Sequence, residues 1–143
     1  MSIFFEKKHS LYNKMSDIGK LPIITSIPSV QEFQKLIQEN TGIVIIKLGA
    51  KWCGPCSRIE PYVTSFFNSV PNNIQCVTVD IDICSEFYSF LKKKRITNGI
   101  PVILCYLKDN KTYYPDDFVV GSDVIELDKF FKRCIENSKN IGN

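Results

Sequence analysis

Hydrophobic residues along the chain alternate between continuous runs and spaced stripes. Five short apolar runs, at residues 21–27, 43–48, 74–81, 101–107 and 113–120, predict β-strands. Between and after these runs, apolar residues recur every three or four positions, starting at Val30, Ile59, Phe87 and Ile125. This spacing is typical of helices that bury one face. The predicted order of elements is therefore β-α-β-α-β-α-β-β-α.

The order of these elements predicts how the strands pair. Strands separated by helices favour parallel pairing, whereas residues 101–107 and 113–120, joined by a turn at 108–111, favour an antiparallel hairpin. The run Ile43–Ile46 is apolar and β-branched throughout, as expected of a central strand buried on both faces. Prolines at both ends of 21–27 place that strand at an edge. The predicted fold class is α/β, with a mixed five-stranded central sheet flanked by helices on both faces.

The chain is predicted to contain one domain. Its 143 residues, 44% hydrophobic and 23% charged, are typical of a single globular domain with one good core. Residues 1–20 show no sustained periodicity and carry several lysines, so we expect a flexible N-terminal extension there. The domain itself is expected to span residues 21–143.

The charge balance does not favour a nucleic-acid or membrane partner. The net charge is +3, from 18 basic and 15 acidic residues, and the basic run Lys92–Arg95 falls at a predicted helix end, where cations are favourable. No apolar run approaches the length of a membrane span. The apolar start Ser2–Phe5 is interrupted by Glu6–His9 before it could form a signal-peptide core. A cytoplasmic monomer is expected.

Six cysteines are distributed in a way that singles out one pair. Four of them, Cys76, Cys84, Cys105 and Cys134, fall in or beside predicted strands and helices, where cysteine commonly acts as a small buried hydrophobe. A secreted disulfide framework is therefore disfavoured. The remaining two, Cys53 and Cys56, form a C-x-x-C motif between a predicted strand and a predicted helix.

This position suits thiol–disulfide chemistry. Cys53 falls at the helix start, where unpaired backbone N–H groups and the helix dipole favour a thiolate. Cys56 lies one turn further on, close enough to close a disulfide and to resolve a mixed disulfide with a substrate. Pro55 costs no hydrogen bond in the first turn, and Gly54 leaves the first cysteine open to a partner.

Two other interpretations of the pair are weaker. A C-x-x-C motif can be half of a zinc site, but the only histidine is His9 and no second close cysteine pair exists, so no metal is expected. Incidental core cysteines are disfavoured because the neighbouring Trp52, Gly54 and Pro55 form a turn rather than a packed strand. The strand–helix context favours a redox motif.

The segment Ala50-Lys51-Trp52-Cys53-Gly54-Pro55-Cys56, with Pro61 five residues further on, resembles the active-site signature of thioredoxins. Gly99-Ile100-Pro101 is similar to the segment that holds the family's cis proline opposite the dithiol, and Val120-Gly121 to its third substrate-facing loop. The resemblance covers roughly residues 21 to 138 and implies the thioredoxin fold.

The resemblance also implies roles for these residues. Cys53 would attack and Cys56 would resolve; Pro101 would be cis, and the backbone of Ile100 would pair with an extended substrate peptide. The implied docking surface consists of Trp52, Ile100, Val120 and Gly121. The implied activity is that of a protein-disulfide reductase in electron transport and redox homeostasis, without a bound cofactor. Its partners would be disulfide-containing proteins and a thioredoxin reductase or an equivalent electron donor.

Two positions depart from the family pattern. Thioredoxins usually carry a buried aspartate six residues before the first cysteine, and here that residue is Lys47; the aromatic residue two positions later is Gly49. An inward Lys47 must be neutral or paired. A neutral amine can act as a base, whereas an ammonium would stabilise the Cys56 thiolate and make the disulfide more oxidising. Alternatively, the side chain runs along the sheet to solvent.

Lys47 therefore leaves two further functions open. One is a binding module that keeps the thioredoxin surface but has weak redox activity. The other is a more oxidising oxidase or isomerase, although Gly54 and Pro55 lack the positive charge that would favour the thiolate in such enzymes.

Overall fold

The computed structural model of the protein describes residues 20–141. Eight regular elements follow one another along this part of the chain. In order they are α1 (Val30–Gln38), β1 (Ile43–Gly49), α2 (Gly54–Phe67), β2 (Ile74–Asp80), α3 (Ser85–Lys93), β3 (Val102–Tyr106), β4 (Asp117–Val120) and α4 (Val124–Lys139). This is the predicted order without its first strand.

The strands form one mixed sheet in the order β2-β1-β3-β4. β1 is parallel to β2 and antiparallel to β3, and β4 is antiparallel to β3, which confirms the predicted pairing. Gly49 lies opposite Asp80, Leu48 opposite Val102, and Val102 opposite Val120. The ends of β1, β2 and β4 and the start of β3 therefore meet at one edge of the sheet.

The prediction of a strand at residues 21–27 is wrong. Within this segment only Ile24 pairs with the sheet, through one isolated parallel bridge to β2. Its N–H donates to the carbonyl oxygen of Cys76 at 3.0 Å, and its carbonyl oxygen accepts from the N–H of Thr78 at 2.8 Å. The flanking prolines supply no N–H and restrict the backbone, so the pairing does not extend.

β1 separates two packed layers. The even-numbered residues from Val44 to Leu48 join a buried cluster with residues of α1 and α3. Ile43 and Ile45 join a second buried cluster with residues of α2 and α4. Successive side chains of a strand point to opposite faces, so this burial confirms a central strand covered on both sides. The next side chain on the α2 face is that of Lys47, where a charged residue ends the apolar row.

The largest difference from a predicted strand boundary is at β4. This strand begins at Asp117 rather than at Tyr113. The residues before β4 form a loop because the Nδ2 group of Asn110 donates to the carbonyl oxygen of Tyr114 at 2.7 Å. A side chain that satisfies the backbone locally competes with strand pairing.

The predicted N-terminal extension, residues 1–20, lies outside the described residues except for Lys20. The division into an extension and a domain therefore stays a prediction. Among the helices of residues 20–141, none is long and apolar enough to cross a membrane.

Candidate active site

The C-x-x-C motif lies where β1 leads into α2, at the sheet edge where the strand ends meet. Cys53 is the N-cap of α2, with an extended backbone conformation, and Cys56 lies in the first turn. The backbone N–H of Cys56 donates to Sγ of Cys53 at 3.2 Å. The sulfur of Cys53 therefore occupies the place of a helix-capping acceptor, where partial positive charge favours a thiolate in the reduced form.

Cys53 and Cys56 are joined by a disulfide, with their Cα atoms 5.2 Å apart. Both residues are nearly covered, with exposed fractions of 5% for Cys53 and 4% for Cys56. The expectation that Gly54 leaves Cys53 open to a partner is wrong in this oxidised form. The sulfur of Cys53 is covered because it folds over the start of its own helix, toward the N–H of Cys56.

Trp52 lies at the surface rather than in the core. Its exposed fraction is 69%. Its indole Nε1 donates to Oδ2 of Asp82 at 2.8 Å, which links the loop before the dithiol to the loop after β2. Asp82 is positioned in turn by Asp80, because the N–H of Asp82 donates to Oδ1 of Asp80 at 2.9 Å. The sequence offered no signal for this contact, since the two loops are distant along the chain.

Of the other residues of the predicted docking surface, Ile100 lies on the loop before β3, Val120 ends β4, and Gly121 begins the loop after β4. The Ile100–Pro101 peptide bond is cis, as the resemblance implied. The carbonyl oxygen of Pro101 accepts from the N–H of Gly121 at 2.9 Å, which joins the loop before β3 to the loop after β4. Gly121 adopts a φ of 92°, a conformation that favours glycine. Val120 is exposed and Ile100 is half-buried.

The loop after β4 also contacts the helix that carries the dithiol. Nη2 of Arg58, on α2, donates to Oγ of Ser122 at 3.4 Å. The structure therefore gathers the motif, the cis-proline loop and the loop at Val120 and Gly121 at one edge of the sheet. The roles assigned to these residues in substrate docking stay predictions.

Lys47 points inward and is paired. It is 6% exposed, and its Nζ forms an ion pair and hydrogen bond with Oε1 of Glu60 on α2. Of the alternatives left open by the sequence, a paired lysine is the one that the structure contains. Pairing offsets the cost of removing an ammonium from water. Glu60 was not singled out from the sequence, although it stands four residues after Cys56 on the same helical face.

A cavity of about 470 Å³ lies beside Cys56. Lys47, Gly49, Cys56, Glu60 and Asp80 are among the residues that line it. A Cβ atom on Gly49 would lie 3.4 Å from Sγ of Cys56 and 3.6 Å from Cε of Lys47. Cε of Lys47 and Sγ of Cys56 therefore both border the space that a side chain at Gly49 would enter. Gly49 stands where the family pattern has an aromatic residue, and it lines this cavity without filling it.

The remaining cysteines are buried and unpaired: Cys76, Cys84, Cys105 and Cys134. Burial raises the pKa of Cys76 to about 12, against a smaller opposite effect of Lys20. The pKa of Cys105 is also raised, first by its hydrogen bond with Cys134 and then by burial. The thiols of Cys76 and Cys105 therefore stay protonated at neutral pH and are poor nucleophiles.

Metal ligands are not assembled in the part of the chain that the structure describes. Across residues 20–141, no group of three or more His, Cys, Asp or Glu side chains could hold a metal ion. His9 lies outside these residues.

A mixed sheet with helices on both faces, a disulfide at the start of a helix and a cis proline on a neighbouring loop define a dithiol–disulfide protein of the thioredoxin fold. The family model described as Thioredoxin matches residues 25–133. The chain belongs to the thioredoxin family.

Individual relatives agree with this assignment. The chain is 32% identical to Thioredoxin 1 of Plasmodium falciparum (isolate 3D7) over 114 residues, which cover 80% of this chain and 96% of that protein. It is 28% identical to Thioredoxin 3 of the same organism over 133 residues, 92% of this chain. That match covers 64% of the relative, so about a third of Thioredoxin 3 lies outside it.

Among solved structures, the oxidised form of mitochondrial thioredoxin 3 from Saccharomyces cerevisiae is similar to this fold. Its TM-score is 0.59 at 26% sequence identity, and the match covers 77% of this chain and 94% of the yeast chain.

Proposed function

We propose that this protein reduces disulfides in other proteins by dithiol–disulfide exchange through Cys53 and Cys56. The observation that carries the proposal is the Cys53–Cys56 disulfide at the start of α2 in a member of the thioredoxin family. A pair of thiols that closes its own disulfide gives up two electrons, and the reduction of one substrate disulfide requires two electrons.

The exchange has two steps. The Cys53 thiolate attacks a substrate disulfide, forms a mixed disulfide and releases one substrate thiolate, which takes up a proton. Cys56 then loses its proton and attacks Sγ of Cys53, which closes the Cys53–Cys56 disulfide and releases the second substrate thiolate. Two electrons pass from this protein to the substrate. The N-cap position of Cys53 supports its role as the first nucleophile.

The substrate is proposed to dock on the surface formed by Trp52, Ile100, Val120 and Gly121. Trp52 and Val120 offer large exposed apolar areas, and large exposed apolar patches commonly mark interaction sites. The backbone of Ile100 would hydrogen-bond to an extended segment of the substrate.

A reductase must return electrons to the Cys53–Cys56 disulfide for catalysis to continue. A thioredoxin reductase or an equivalent donor is the proposed partner, which would place the protein in electron transport and redox homeostasis.

We propose a cytoplasmic monomer; the four buried, unpaired cysteines support a reducing compartment. Fluorescence microscopy of the tagged chain and analytical ultracentrifugation test location and oligomeric state.

Reduction of insulin tests the proposed activity. With dithiothreitol as electron source, the wild-type protein is expected to accelerate insulin precipitation, and Cys53→Ser is expected to lose this acceleration. Cys84→Ala is a matched control because Cys84 is a buried cysteine outside the motif. A wild-type protein that does not exceed dithiothreitol alone, or a Cys53→Ser variant that retains full activity, would contradict the proposal.

A further inference from the structure

Two charges of opposite sign stand beside the resolving cysteine. Lys47, on β1, lines the same cavity as Cys56, and Glu60 follows Cys56 by one helical turn on α2. The two charged side chains are paired with each other at that cavity. Lys47 has a side-chain exposure of 7%, whereas that of Glu60 is 55%, so the pair connects the interior with solvent.

We infer that Lys47 and Glu60 act as opposed positioning residues that set the redox equilibrium of the dithiol through the Cys56 thiolate. Lys47 favours the reduced form, and Glu60 limits that effect. The inference rests on the proposed function, since it assumes that Cys53 and Cys56 cycle between disulfide and dithiol.

The sign of each effect follows from its charge. An ammonium beside a sulfur stabilises the thiolate over the thiol, while a carboxylate at i+4 on the same helix disfavours the thiolate. Only the reduced form contains a thiolate, so Lys47 stabilises that form and makes the disulfide a stronger oxidant. Glu60 opposes this both by its own charge and by neutralising part of the lysine's field.

Burial makes the arrangement effective. Charges interact more strongly in a partly dry site than in bulk water, and Lys47 and Cys56 are both nearly covered. The other charged groups that line the cavity are Lys51, from the loop before the motif, and Asp80, from the end of β2. They carry opposite charges and are unchanged in the variants below.

Equilibration with glutathione measures the effect directly. Two molecules of reduced glutathione convert the Cys53–Cys56 disulfide into the dithiol and become one molecule of glutathione disulfide. Lys47→Met is expected to shift the equilibrium by up to about 3- to 10-fold toward the disulfide, about 14 to 30 mV, at the pH values between 6 and 9 where Cys56 is ionised in the wild-type protein. Glu60→Gln is expected to shift it in the opposite direction, toward the dithiol, by a smaller factor, because more than half of the Glu60 side chain is exposed to solvent.

Opposite signs distinguish charge tuning from structural damage. A merely structural role of the pair would shift both variants in the same direction or neither, and either result would overturn the inference. Lys47→Gln provides a second removal of the charge in case the methionine variant does not fold. The matched controls are Lys132→Met and Asp128→Asn, which remove the same charges from an exposed pair on α4 and are expected to leave the equilibrium unchanged.

A pH series gives a second readout. If Lys47 acts through the Cys56 thiolate, the glutathione equilibria of Lys47→Met and wild type diverge with rising pH as long as Cys56 ionises in the wild type but not in the variant. At higher pH, where Cys56 ionises in both proteins, the difference in the equilibrium levels off. A difference that is constant from pH 6 to 9 would overturn the inference. Failure of the wild-type protein to equilibrate reversibly with glutathione would instead overturn the proposed function.

Discussion

The indole Nε1 of Trp52 donates a hydrogen bond to Oδ2 of Asp82, 2.8 Å away. The contact holds a ring with an exposed fraction of 69% in a defined orientation beside the dithiol. A large apolar side chain that is both exposed and fixed presents contact area to a partner at little entropic cost. Asp82 thus prepares the surface on which we propose that substrates dock.

Asp82→Ala should weaken substrate binding without changing the redox chemistry. We expect KM for insulin reduction to rise about 2- to 5-fold, as for the loss of one exposed charged hydrogen bond, with kcat nearly unchanged. Trp52 is the only tryptophan in the chain, so its fluorescence anisotropy reports the ring's freedom and should fall. Asp109→Ala, at an exposed turn, is the control. An unchanged KM together with lower anisotropy would separate ring order from docking and contradict the prediction.

Buried thiols should make the protein sensitive to alkali. The pKa of Cys76 is raised to about 12 in the folded protein, from about 9.0 for an unperturbed thiol. Between these values the unfolded chain releases the proton and the folded chain keeps it, so stability present below pH 9 is lost as pH rises toward 12. Each such group contributes a fall of about 1.4 kcal/mol per pH unit in the free energy of unfolding.

Cys76→Ala should therefore flatten the alkaline stability curve. Anaerobic urea titrations from pH 8 to pH 11 measure the free energy of unfolding for both proteins. We expect a lower value for the variant at pH 8, because a small cavity is created, and a shallower decline above pH 9. Parallel declines in the two proteins would show that Cys76 does not contribute.

Two buried glycines should respond differently to alanine. A Cβ on Gly42 would overlap the carbonyl oxygen of Asn73, which accepts from the N–H of Ile43 at 2.9 Å. Backbone held in this way cannot move cheaply, so Gly42→Ala should destabilise the protein by about 2 kcal/mol or more. Gly49→Ala meets only ordinary van der Waals distances and should cost under about 1 kcal/mol. Thermal unfolding measures the loss of stability in each variant, and equal losses for Gly42→Ala and Gly49→Ala would contradict the prediction.

Lys111 stabilises the end of α1. Its Nζ donates to the carbonyl oxygens of Ile37, Gln38 and Asn40 at 3.0 to 3.3 Å. The carbonyls of Ile37 and Gln38 lie in the last turn of α1 and carry the negative end of its dipole. Lys111→Met should lower the free energy of unfolding by about 1 kcal/mol, measured by urea titration. Lys108→Met, an exposed lysine on the preceding turn, is the control, and an equal effect there would refute the capping role.

Most of the fold could be predicted from local pattern because its elements are strongly periodic. Residues 43–46 are apolar on both faces, and the structure covers both faces of β1. The failure at residues 21–27 has a local cause, since apolar content suggested a strand, while the prolines at both ends keep the pairing from extending beyond Ile24. The late start of β4 depends on side-chain bonds of Asn110 that no periodicity reveals.

The candidate site also has features that could be predicted from the sequence and features that could not. The C-x-x-C spacing and its flanking residues identified the dithiol, because all of these residues are close together in the sequence. The partners of Lys47 and Trp52 could not be found in this way, because Glu60 and Asp82 reach them across different elements. The pairing of Lys47 with Glu60 depends on how α2 packs on the sheet, and a single sequence does not give the distance between two such side chains.

The central claim is that Cys53 attacks and Cys56 resolves, and trapping of the mixed disulfide tests it most directly. Reduced Cys56→Ser is mixed with insulin, and intact-protein mass spectrometry measures the covalent adduct. We expect Cys56→Ser to retain an insulin chain on Cys53 until dithiothreitol releases it, and Cys53→Ser to retain none. An adduct on Cys53→Ser alone, or on neither variant, would contradict the account.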